Sequence, residues 1–452
     1  MPTVRVPAGS DKSVRQQSDS PHDHPVGDRS LTATGIMATY GQALRVAFLS
    51  VLVTLVVAPI AMLPYRADDT INRTNGAFSW SANFHGLIKL QRDWIRDEGR
   101  FFPGGSIYAL PMWHLLDTRA AYLTYLVLLN LACFALVAFV CFLVTRSVDM
   151  TAIAVIALGA CMQIRWWWFD GLSGFAGLIP YTIVLTVLSG LGVAQYLRTG
   201  RRWWLVPTAL AWTLVITSYE VIILLLPAIV VLLFVANQGR TKKQWTWALA
   251  PLVIPAVAEF LISIYLRSQT PSNIPAYTMN RDGPVGITFL KQLTAALPSS
   301  QYWLGGTPKG THLSPALLVM LVLALALPAF LVWRPHFAVK AIPLRISVSL
   351  TAAGAWVWLV PSLLTGLTKR WQDELIFGQG YIYLPYEYVG LALIAAGVTG
   401  LLSGLPRSRG ARTAVVAMLA ILLVGCAITV ESNILFAGQY VPGPQNSNLP
   451  AT

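Results

Sequence analysis

Apolar residues in this chain come in long unbroken runs rather than in alternation. The runs lie near 42–64, 120–144, 149–165, 174–197, 203–218, 221–236, 245–265, 313–333, 346–366, 388–405 and 412–430. Each is close to the ~20 residues an α-helix needs to cross a hydrocarbon core. A backbone in lipid must satisfy its own hydrogen bonds, which long runs do as helices. A barrel would instead show short segments of period two. The pattern predicts an all-α, polytopic transmembrane helix bundle with about 11 spans. Two places are ambiguous. The runs at 203–218 and 221–236 are joined only by Tyr219-Glu220 and can equally form one bent element, and the run at 149–165 is short.

Composition agrees with the pattern. The chain is 55% hydrophobic and 11% charged, against about a quarter charged for a soluble domain. Residues 1–40 are polar and read as a disordered cytoplasmic tail. They are not a signal peptide, since no apolar stretch begins before Met37. The bundle then occupies 41–430, followed by an outer C-terminal tail at 431–452. The four cysteines, Cys133, Cys141, Cys161 and Cys426, lie in or beside apolar runs and form no CxxC pair. They read as small buried hydrophobes.

The formal net charge of +13 is distributed as a membrane-orientation signal. Alternate connections carry Arg146; Arg198, Arg201 and Arg202; Arg240, Lys242 and Lys243; Arg334, Lys340 and Arg345; Arg407, Arg409 and Arg412, with Asp149 as their one acid. These short connections are cytoplasmic by the positive-inside rule. The intervening connections are several times longer and mix both signs. The alternation predicts an N-terminus inside and a C-terminus outside. It also excludes a nucleic-acid footprint, because the positive charge forms no single patch.

The unusual polar material is therefore on the outer side, in long loops at about 65–119, 266–312 and 367–388. The first begins Pro64-Tyr65-Arg66-Ala67-Asp68-Asp69-Thr70. Ionised groups at such a place are costly unless hydrated, paired or functional. Within 83–96, Leu87, Leu90 and Trp94 share a helical face opposed to Lys89, Arg92, Asp93 and Arg96, which predicts an interfacial helix. Gly99-Arg100-Phe101-Phe102-Pro103-Gly104-Gly105 should end it. The second outer loop holds Trp166-Trp167-Trp168, an aromatic belt or a wall for a sugar ring. The third is only Ser218-Tyr219-Glu220. The fourth is either a lid over a site or a surface loop. The fifth is dense in charge and tyrosine, from Lys369-Arg370-Trp371 to Tyr386-Glu387-Tyr388.

This arrangement resembles the GT-C class of membrane glycosyltransferases. The resemblance rests on the topology over 42–430, on Asp68-Asp69 just past the first span, and on Gly99-Arg100-Phe101-Phe102 beside them. It implies transfer of a sugar from a polyprenyl-phosphate carrier to an extracytoplasmic glycan or lipid acceptor, by a multi-pass protein of the cell membrane. A carboxylate within reach of an acceptor hydroxyl can take its proton. Asp68 and Asp69 are thus the catalytic candidates, and either can also hold a divalent cation through oxygen ligands. Arg66, Arg100, Lys369 and Arg370 are the candidates for the donor phosphate. Trp166, Glu220 and Glu387 are candidates for sugar or acceptor contacts. Two rival readings use the same residues: a transporter or flippase of a lipid-linked saccharide, and a non-catalytic envelope-assembly protein.

Overall fold

The computed structural model describes residues 33–64, 80–116, 118–165, 170–269, 279–304, 314–333, 341–405 and 409–439. Arg66, Asp68, Asp69 and Trp166 lie outside them, as do 1–32 and 440–452; residues 33–40 and 431–439, expected in the polar tails, are helical instead. Of the described residues, those up to Ala47 belong to one unit and those from Phe48 onward to a second.

Each of the eleven apolar runs falls on a helix. They are α1 (Ala33–Val57, with a 3-10 turn to Met62), α4 (Arg119–Thr145), α5 (Val148–Cys161), α6 (Gly174–Thr199), α7 (Leu205–Ser218), α8 (Leu226–Ala236), α9 (Lys242–Gln269), α12 (Pro315–Trp333), α13 (Leu344–Leu367), α15 (Leu384–Gly404) and α16 (Arg409–Gln439). The connections between them add α2 (Trp80–Glu98), α3 (Pro103–Leu115), α10 (Val285–Ala295), α11 (Ser300–Leu304) and α14 (Lys369–Glu374). Among the described residues, 7 helices are long and apolar enough to cross a membrane. The protein is an all-α, multi-pass bundle.

Local chemistry sets the helix ends. The Thr118 hydroxyl accepts from Ala121 N–H at 3.2 Å and caps α4, and Ser147 caps α5 through Met150 N–H. α2 stops at Gly99, whose φ of 60° suits a residue without Cβ. Arg100 N–H then bonds back to Trp94 C=O at 3.1 Å. The Pro103-Gly104-Gly105 run does not stay a loop. It opens α3, because proline suits the first turn, where its missing N–H has no intrahelical partner to lose. α7 and α8 are not one bent helix either. Tyr219 is extended between them and a 3-10 turn, Glu220–Leu225, follows.

α5 is the centre. All its residues from Ile153 to Cys161 are buried, packed between α4, α15 and α16. Oil-like solvent gives no hydrophobic drive between such helices, so close backbone approach must hold them. The tightest pair, α13 and α15, meets through glycine. A Cβ on Gly390 would lie 2.7 Å from Gly354 O and 2.8 Å from Trp358 N. Polar side chains stitch the C-terminal end of α5, where helical bonds run out. Asn433 of α16 accepts from Ile164 N–H at 2.8 Å and donates to Met162 C=O at 3.0 Å and Val56 C=O at 3.2 Å.

Candidate functional site

One polar and aromatic cluster gathers four of the connections between the bundle helices. Its hub is Glu220, the first residue of the 3-10 turn after α7. The Arg100 guanidinium meets it as a fork, Nε donating to Oε1 and Nη2 to Oε2, both at 2.8 Å. Arg267, in the last turn of α9, places Nη2 3.6 Å from Oε1. Arg100 and Glu220 keep only 25% and 27% of their side-chain surface, whereas Arg267 keeps 59%. Burial opposes the charge on Arg100, but the Glu220 carboxylate more than offsets it and raises the guanidinium pKa above its ordinary value.

Aromatic rings frame this pair. The Arg100 guanidinium lies 5.0 Å from the Trp94 ring and 5.6 Å from Phe102, which stack on each other at 5.8 Å. On the other side Tyr219 packs against Tyr383 at 5.6 Å, Tyr383 against Tyr381 at 4.9 Å, and Tyr381 against Trp371 at 3.9 Å. Burial, with the Glu220 carboxylate next in weight, pushes the Tyr383 phenol up to about 12. Tyr219 is also raised, chiefly by burial. Both are therefore neutral hydrogen-bonding groups at physiological pH.

The tyrosine wall is held from behind. Gln372 Nε2 donates to Asn280 C=O at 2.7 Å and Gly366 C=O at 2.8 Å, and Asn280 Nδ2 donates to Gln372 Oε1. This ties α14, which carries Trp371, to the start of the fourth connection's described part. α10 packs along α13 beside it, so residues 285–295 are part of the bundle. Gln292 Oε1 accepts from Tyr381 N–H at 2.7 Å, and Gln292 Nε2 donates to Glu387 at 2.9 Å.

The sequence candidates separate accordingly. Arg100 and Glu220 meet directly. Glu387 is fully buried; one oxygen accepts from Gln292 and from Ser362 at 3.1 Å. It supports the wall from inside and does not line it. Arg370 lies 5.0 Å from the Trp371 ring and donates to Glu374 at 3.0 Å. Lys369 is exposed beside it. Asp68 and Asp69 follow a well-anchored segment. Leu63 is fully buried, and Arg119 at the start of α4 donates to its C=O at 3.1 Å. Asp68 is five residues further, at most about 18 Å of extended chain.

Arg165, another cation just past a bundle helix, does structural work. It is 1% exposed and donates to Gly378 C=O, Ala295 C=O, Ser300 Oγ at 3.3 Å and Tyr388 Oη at 3.1 Å. Its own N–H bonds to Asp170, which also takes Ser173 N–H at 3.1 Å. Glu259 is buried within α9 and accepts from Ser263 at 3.4 Å.

Sequence reasoning passed over Arg267, Tyr219, Trp371 and the packing of Tyr381 on Tyr383. The signal for them was present: polar and aromatic residues placed at run ends. Among the described residues no group of three or more His, Cys, Asp or Glu could hold a metal ion. Asp68 and Asp69, the candidate divalent-cation ligands, lie outside that set. No family model matches the chain, and no curated protein matches it.

Proposed function

We propose that this protein is a membrane glycosyltransferase of the GT-C kind, with about eleven spans, its N-terminus inside and its C-terminus outside. It moves a sugar from a polyprenyl-phosphate carrier to an acceptor on the outer side of the cell membrane. The observation that carries this reading is the Arg100–Glu220–Arg267 cluster with its tyrosine wall. A lipid-linked sugar needs cations for its phosphate, rings and neutral hydroxyls for its sugar, and a place at the membrane edge.

On this reading the roles divide among the clustered residues. Arg100 spends its fork on Glu220 and fixes that carboxylate. Arg267, more exposed and less tightly held, contacts the donor phosphate, with Lys369 and Arg370 at the far side. Trp371, Tyr381 and Tyr383 pack on the sugar. Asp68 or Asp69 takes the acceptor hydroxyl proton. The acceptor oxygen then bonds to the anomeric carbon, the bond from that carbon to the phosphate oxygen breaks, and the polyprenyl phosphate leaves. A divalent cation on the aspartates would neutralise charge at the leaving phosphate.

The test is chemical. Membranes from a strain lacking the protein should accumulate a lipid-linked sugar and lose one glycan substituent from the envelope. An intact glycan together with donor trapped on the inner leaflet would instead make the protein a flippase. No change in either would leave the assembly role.

A further inference from the structure

We propose that a groove between α4, α6 and α8, on the basic side of the bundle, holds one acyl chain of an anionic phospholipid. The lipid's phosphate is bound by Arg146, Arg198 and Arg240. This site is separate from the outer cluster, and the inference does not depend on the glycosyltransferase reading.

The groove has a volume of about 100 Å³. Its walls are aliphatic, running from Val140 to Val144 on α4 and from Ile229 to Ala236 on α8. α6 supplies the floor, with Gly190 at its middle and Arg198 at one end. Gly190 leaves real space: a Cβ built there would meet only Ile229 Cγ2, at 3.9 Å. Gly354 and Gly390, by contrast, press on the backbone of the facing helix, whereas Gly190 opens a slot.

Arg198 lines the groove at the end of α6, and the segments that follow α4 and α8 each carry an arginine too. Arg146 stands two residues past Val144 and caps α4 in the left-handed region, with φ of 52°. Arg198 is in the last turn of α6. Arg240 lies four residues past Ala236. All three are exposed. Asp149, in the first turn of α5, reduces this charge without cancelling it. An apolar slot with Arg198 at its end, and Arg146 and Arg240 just past its other two helices, suits a phospholipid: hydrocarbon below, phosphate above. By the positive-inside rule that end faces the inner leaflet, where anionic headgroups attract juxtamembrane arginines.

The experiment uses the full chain in a mild detergent. It is exposed to phosphatidylglycerol or phosphatidylcholine of the same acyl composition, and retained lipid is counted by native mass spectrometry. One phosphatidylglycerol should be retained and phosphatidylcholine should be lost. Arg198→Gln should lower the retained fraction about fivefold, the worth of one juxtamembrane arginine. Gly190→Leu fills the slot and should abolish retention. Arg412→Gln, on α16 and outside the groove, should leave retention unchanged. A phosphatidylglycerol with a photoreactive acyl chain covers the case in which Gly190→Leu misfolds: in wild-type protein it should label peptides of α4, α6 and α8. Equal retention of both lipids, retention of polyprenyl phosphate instead, unchanged retention in Arg198→Gln, or labelling away from these helices would each overturn the proposal.

Discussion

The Arg100–Glu220 fork should behave as one energetic unit, and a double-mutant cycle measures it. Consider Arg100→Met, Glu220→Gln and the double variant. Two charge-assisted bonds at 2.8 Å join the groups, and each such bond contributes about 1.5–3 kcal/mol net. As a check, two charges about 4 Å apart at an effective dielectric of about 20 attract by ~4 kcal/mol. Desolvation of two side chains that keep only about a quarter of their surface offsets roughly half of that. The two routes bracket the coupling between about 2 and 6 kcal/mol, and the lower end, about 2 kcal/mol, is the expected minimum. Arg267 provides the internal comparison. At 3.6 Å from Glu220 and 59% exposed, it should couple to Glu220 by less than about 0.5 kcal/mol. Thermal midpoints of the purified variants in one detergent give the readout. For a chain of this size, 2 kcal/mol corresponds to roughly 3 °C. A 100–220 coupling below about 0.5 kcal/mol, or a 267–220 coupling larger than the 100–220 one, would refute the hub geometry.

The remaining expectations concern the frame around the site. Gly390→Leu forces a side chain into the α13 backbone and should cost about 3 kcal/mol or more. Gly286→Ala, where a Cβ meets nothing within 4 Å, should be silent; size-exclusion profiles and midpoints distinguish them. Arg165→Lys should fail to rescue Arg165→Met, since a point charge cannot reproduce a fork that reaches two carbonyls, a serine and a tyrosine; both should destabilise by about 3–5 kcal/mol in thermal unfolding. The native cysteines are all buried, so single introduced cysteines report sidedness. Lys242→Cys should react with a membrane-impermeant maleimide only after permeabilisation, and Glu374→Cys should react in intact cells.

The all-α bundle was legible in the sequence because bilayer thickness imposes a length on apolar runs, and 7 helices among the described residues have it. Helix ends were less so. Gly99 was read as a stop and is one, but Pro103-Gly104-Gly105 starts α3. Local propensity could not separate these, because Gly104 lies where α3 meets the α7 backbone at Leu214, a contact set by tertiary packing. The site was half legible. Arg100 and Glu220 stood out as charges beside apolar runs, yet their pairing spans 120 residues and has no local signature. Glu387 and Arg165 show the converse. Both have the residue type and position of functional groups, and both are consumed by internal bonds that only packing reveals.

Asp68 and Asp69 remain the chemical centre of the account. The direct measurement is sugar transfer by protein reconstituted with lipid-linked donor and envelope acceptor, comparing wild type with Asp68→Asn, Asp69→Asn and both together. The account predicts donor binding within about threefold of wild type and product formation lowered by at least about 10²-fold, the usual worth of a general base. Undiminished product from the double variant would contradict it.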